Sequence, residues 1–70
     1  MDKIFDLLDL YGICEYCVVS YTSELLYTIT FRYKDYHTIF SFFEYEFDRP
    51  RYYYYIEKII SDLSALVKAF

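Results

Sequence analysis

Residues 25–34 read LLYTITFRYK, and their alternation decides the fold. Leu25, Tyr27, Ile29, Phe31 and Tyr33 fall on one side; Thr28, Thr30, Arg32 and Lys34 fall on the other, with Leu26 at the entry. A period of two marks a strand with one face on a core and one toward water.

On its N-terminal side, residues 13–21 (ICEYCVVSY) are β-branched and aromatic, apolar on both faces apart from Glu15 and Ser20, and read as a strand. Thr22-Ser23-Glu24 makes the turn between the two. On its C-terminal side, Asp35 and its neighbours turn the chain again. Residues 36–47 (YHTIFSFFEYEF) then read as a third strand. Ile39, Phe43, Tyr45 and Phe47 share one face of it; Phe40, Phe42, Glu44 and Glu46 share the other. The pattern breaks at Ser41, where a bulge would fit.

The two ends of the chain change period. In residues 2–11, Ile4, Leu7, Leu8 and Tyr11 lie on one helical stripe, with Asp2, Asp6 and Asp9 opposite. Gly12 stands where a helix ends on a left-handed residue. Asp48-Arg49-Pro50 reads as a helix start, with Asp48 able to cap and proline tolerated in the first turn. Across residues 51–70, Tyr52, Ile56, Ile59, Ile60, Leu63, Leu66, Val67 and Phe70 form a broad apolar stripe; Glu57, Lys58, Ser61, Asp62 and Lys68 are its solvated side.

The predicted fold is therefore one α+β domain over residues 1–70, a three-stranded antiparallel meander flanked by two helices in the order α-β-β-β-α. The inner sheet face is expected to carry the odd-numbered residues of the second and third strands. If one helix covers each face, nothing is left open. If both share a side, the other face presents Phe40 and Phe42 beside Thr28, Thr30 and Arg32, with Glu44 and Glu46 at its end. The first strand then adds either Cys14, Tyr16 and Val18 or Ile13, Cys17 and Val19.

Composition sharpens that expectation. Eleven Tyr and seven Phe bring the aromatic share to 26%, equal to the charged share, against one Gly and one Pro, which excludes a disordered or low-complexity chain. A chain this short has almost no stability margin, so aromatic residues left outside the core stand out. Besides Phe40 and Phe42, the run Tyr52-Tyr53-Tyr54-Tyr55 spans a whole helical circumference. Tyr52 and Tyr55 can lean on the core, whereas Tyr53 and Tyr54 cannot both do so. The predicted partner-binding set is Phe40, Phe42, Glu44, Glu46, Asp48, Tyr53 and Tyr54.

Catalytic chemistry finds little to work with. Cys14-Glu15-Tyr16-Cys17 is a lone C-x-x-C whose thiols would point to opposite strand faces, and His37 is the only histidine. No phosphate loop or nucleophile-base set is present, so the reading expects no enzyme, no cofactor and no metal. Seven basic residues are scattered among eleven acidic ones for a net charge of −4, which disfavours direct nucleic-acid or anionic membrane binding and suits a basic protein surface. Met1-Asp2-Lys3 lacks a basic stretch ahead of a long apolar run, so a cytoplasmic location with reduced cysteines is expected. The acids Glu44, Glu46 and Asp48 would recur at about 6.6 Å along a strand, close to the phosphate spacing of one DNA strand.

In its size, acidity and α-β-β-β-α layout, with the acidic strand end Glu44-Glu46-Asp48, the chain resembles the small phage-encoded inhibitors of bacterial defence, the anti-CRISPR proteins among them. The resemblance covers the layout of the whole chain and contains no specific motif. It implies stoichiometric binding to a host protein such as a CRISPR effector nuclease inside the host cell. The alternative is a structural or regulatory homodimer that uses the exposed aromatic sheet face for self-association.

Overall fold

The computed structural model describes residues 3–69. It is an α+β fold: helix α1 (Lys3–Leu10), a 3₁₀ turn (Cys14–Tyr16), strands β1 (Cys17–Tyr21), β2 (Leu26–Tyr33) and β3 (Tyr36–Phe43), a short helix α2 (Glu44–Phe47) and helix α3 (Pro50–Ala69). The strands form one antiparallel sheet in the order β1-β2-β3. Asp2 and Phe70, which the periodicity assigns to the first and last helices, lie outside the described residues.

The expected stripe of α1 is buried: Ile4, Leu7 and Leu8 enter the core, while Asp6 and Asp9 stay exposed. Gly12 has φ +72. Its N–H donates to the Asp9 carbonyl at 3.0 Å, and the Ile13 N–H donates to the Leu8 carbonyl at 3.1 Å. This crossed pair is a Schellman ending, sealed by apolar contact between its outermost residues, and both Ile13 and Leu8 are fully buried. Using Ile13 in this way shortens the first strand. The predicted strand over residues 13–21 is instead a 3₁₀ turn followed by β1, with Val18 and Ser20 on one face and Cys17 and Val19 packed toward the core.

Helices α1 and α3 and strands β2 and β3 share one core, in which Ile29 and Phe31 of β2 and Phe42 of β3 join Ile4, Leu7 and Leu8 of α1 and Ile56, Ile60 and Leu63 of α3. Both long helices therefore cover the same side of the sheet. Buried Ser64 on α3 donates its hydroxyl to the Tyr11 carbonyl at 2.9 Å, which satisfies one of the orphan acceptors at the end of α1.

Two expectations about the third strand are corrected. The first concerns its length: β3 stops at Phe43, and residues 44–47 coil into α2. The cause lies across the sheet. Leu26 pairs with Phe43 and is the first residue of β2, so the chain beyond Phe43 has no partner strand. The Glu46 carboxylate then accepts the Phe43 N–H at 3.0 Å and starts the helical turn. The second concerns which residues face inward. A two-residue turn, Lys34-Asp35, pairs Tyr33 with Tyr36, so odd positions of β2 lie opposite even positions of β3. Antiparallel partners share a face. Phe42 and Phe40 therefore join Tyr27 and Ile29 on the helix side, and Ile39 and Phe43 face the other way.

Proline begins α3 as expected, but Asp48 does not cap it. Arg49 occupies the cap position, its carbonyl accepting the Tyr53 N–H at 2.8 Å. Asp48 ends α2 and pairs with Lys3 across 3.2 Å of exposed surface.

The β1–β2 connection carries backbone strain. The Leu25 N–H bonds to the Thr22 carbonyl and the Thr22 N–H to the Leu26 carbonyl, each at 3.0 Å, with Leu25 at φ +64. This three-residue hairpin ordinarily places glycine at that position. Leu25→Gly is expected to raise stability by about 0.5–1 kcal/mol, the left-handed penalty of a side chain less the extra freedom of glycine in the unfolded chain. A urea titration reads this as a higher midpoint at unchanged slope.

Candidate interaction surface

The predicted contact residues separate in the structure. Phe42 is 1% exposed and stacks on Tyr27 at 5.4 Å and on Phe47 at 5.2 Å. Phe40, half-buried, leans on it from the same inner face at 6.5 Å. Neither forms the open aromatic face that was expected, because the even-length turn brings both to the helix side. Tyr53 is half-buried against Phe47 at 5.1 Å, whereas Tyr54 is exposed. Tyr55, expected to lean on the core, is exposed as well. The side of α3 that meets α1 decides this. Glu57 and Ser64 both contact Tyr11, and Tyr53 shares their stripe.

The acidic row is also rearranged. Glu44 opens α2 and accepts a long hydrogen bond, 3.4 Å, from the Tyr21 hydroxyl. Glu46 is spent on the Phe43 N–H, and Asp48 on Lys3. The three carboxylates do not line a strand, so the regular spacing that would imitate a phosphate backbone is not formed.

In place of that surface the fold assembles a different one, at the corner where β1, β2 and β3 reach α2. Phe43 and Tyr45 are 36% and 59% exposed, and their rings stack at 5.6 Å and 16°. Leu25 stands beside them, 47% exposed, its carbonyl accepting the Glu44 N–H at 2.8 Å. Tyr21 lies on the helix side of the sheet, its ring 4.6 Å from that of Tyr27, and reaches Glu44 at the rim from there. The band continues toward α3. Burial, then the nearby Glu46 carboxylate, then Tyr55 and Tyr45 hold the Tyr52 hydroxyl above its ordinary value, and the rings of Tyr52 and Tyr55 lie 5.7 Å apart. The result is an exposed aromatic corner with carboxylates at its rim. Sequence reading missed Leu25 and Tyr45 as contact residues: no glycine betrays the left-handed turn, and Tyr45 falls inward only if the third strand continues past Phe43.

The sheet face opposite the helices is open and less aromatic than expected. Val18, Thr30 and Ile39 form one row across it and Ser20, Thr28 and Ser41 the next, with Thr28 and Ser41 hydroxyls 3.1 Å apart. His37 is exposed opposite Arg32.

Cys14 and Cys17 are free, half-buried thiols, and among the described residues no three His, Cys, Asp or Glu side chains could share a metal ion. Burial, and after it Cys14, pushes the Cys17 thiol up to about 11 from 9.0. The folded state therefore favours the protonated thiol. Its contribution to stability is present below the unfolded value and is lost as pH rises from there through the folded value. Iodoacetamide is expected to label Cys17 more slowly in the folded chain than in urea at mildly alkaline pH; equal rates would contradict the burial.

No described helix is long and apolar enough to cross a membrane. Comparison with known protein families, with curated proteins and with solved structures finds no match to this chain.

Proposed function

We propose that this protein acts by stoichiometric binding to another protein and inhibits what it binds, with the aromatic corner as its contact surface. The observation that carries the reading is the stacked Phe43–Tyr45 pair, exposed beside Leu25 at a position where the turn itself would be better served by glycine. Exposed stacked rings on a hydrogen-bonded turn lose little freedom on binding and supply the large flat contacts that dominate interface energies. A strained residue kept at the surface points to a use outside the fold. The carboxylate rim, with a net charge of −4, favours a basic partner surface.

The layout that resembles phage-encoded inhibitors of host defence makes a CRISPR effector nuclease the first partner to test. The expected result is a one-to-one complex and loss of DNA cleavage at equimolar inhibitor, both reversed by Tyr45→Ala. Full cleavage by effectors of each major type in excess inhibitor would end the nuclease reading. Leu25→Gly separates binding from folding: it should make the protein more stable and its complex weaker.

A further inference from the structure

The second exposed feature is an edge rather than a face. The two-residue turn closes on the Tyr33–Tyr36 pair, so even residues of β3 direct their N–H and C=O toward β2 and odd residues direct theirs away. The Phe43 N–H confirms the parity, since it leaves the sheet to reach Glu46. That leaves the main-chain groups of His37, Ile39 and Ser41 facing outward in a row, without a protein partner among the described residues.

Natural sheets protect such edges with charge, proline, bulges or short strands. β3 uses none of them. It is eight residues long, pairs with β2 in unbroken register, and contains no Pro, Lys, Arg, Asp or Glu. The opposite edge differs: β1 has five residues, and its Cys17 N–H is already taken by the Cys14 carbonyl.

We propose that β3 pairs antiparallel with β3 of a second copy of this chain, about a two-fold axis at Ile39, to give a six-stranded sheet. Charge permits a second copy as the occupant: two chains of net charge −4 repel over most of their surface, but β3 has no Asp, Glu, Lys or Arg, so they can meet along it without like charges face to face. Register argues for it. With Ile39 opposite Ile39, His37 meets Ser41 in both directions, and all three outward main-chain pairs of each copy are satisfied at once. On the helix side the same register sets half-buried Phe40 against Thr38, so a bulky ring meets a small residue. The flank of α3 turned away from α1 carries Tyr55, Ile59 and Leu66, none of them buried, and Leu66 lines a depression with Tyr33 and Tyr36 at the β2–β3 turn. A strand added at β3 would slide beneath that flank and cover it.

Sedimentation velocity over a dilution series, with amide hydrogen exchange at each concentration, tests the proposal. The expected result is a mass of twice 8.7 kDa at high concentration, with exchange at Ile39 and Ser41 slowing as the dimer forms. Ile39→Lys places like charges face to face at the axis and should raise the dissociation constant about tenfold or more. Ile39 is 63% exposed in the monomer, so the circular dichroism of the variant should match the wild type. A monomer at millimolar concentration overturns the proposal. So does a dimer broken by Val18→Lys as readily as by Ile39→Lys, because Val18 shares the open face with Ile39 but lies two strands from the β3 edge, and that pattern means face-to-face stacking of the open sheet. Capture of an extended peptide at β3 by a chain that remains monomeric overturns it too.

Discussion

Phe42→Ala is expected to cost the fold a large part of its stability. The ring is fully enclosed, stacked between Tyr27 and Phe47 with Phe40 at its side, and it joins the sheet to α2. Truncating a buried phenylalanine costs about 3–5 kcal/mol. A domain of 70 residues holds roughly 3.5–10 kcal/mol in total, so the variant should lose from about a third to all of its margin and unfold at a clearly lower urea concentration than the wild type. Tyr54→Ala, at an exposed position on α3, should shift stability by no more than about 0.5 kcal/mol. Urea titrations of the two variants decide between the core position seen in the structure and the surface position that strand alternation alone assigned to Phe42. A wild-type midpoint for Phe42→Ala would place the ring outside the core.

The second large effect concerns binding. Tyr45→Ala should weaken the complex with the partner about 30-fold or more, the range of an aromatic residue at the centre of an interface. It should leave the fold intact, because Tyr45 is exposed and among the described residues its ring stacks on Phe43 alone, which keeps its pairing with Leu26. The rim should behave differently. Glu44→Gln removes a charge whose only described hydrogen bond is the long one from the Tyr21 hydroxyl, so it should slow association a few-fold and reduce the salt dependence rather than speed dissociation. Calorimetry for affinity and surface plasmon resonance for rates read both. A complex indifferent to Tyr45→Ala would move the contact surface away from this corner.

Much of the fold is legible in the sequence because it rests on local rules. The alternation of residues 25–34, the apolar stripes of the two long helices and Gly12 at the end of α1 each act within a few residues, and each appears where the periodicity puts it. The errors arise where a distant or unmarked feature decides. Whether Phe42 or Phe43 faces the helices depends on the length of a turn that has no glycine to delimit it. Where β3 ends depends on where β2 begins, which is set by the left-handed Leu25. Which tyrosine of the run 52–55 is covered depends on the side from which α1 packs. The candidate site follows the same logic: its rim residue Glu44 is legible in the sequence, but Leu25, Phe43 and Tyr45 converge only after the strand stops.

The contacts of α1 have a consequence for the order of assembly. Each strand pairs with its neighbour in the chain through a short turn, so the sheet can form from local closures. The first helix is tied instead to the end of the sequence: Tyr11 meets Ser64 across a separation of 53 residues, and Lys3 meets Asp48 across 45. Closing so long a loop gains nothing until the partner surface exists. Helix α1 therefore settles only once α3 is in place, and Ile4, Leu7 and Leu8 are not fully covered before then.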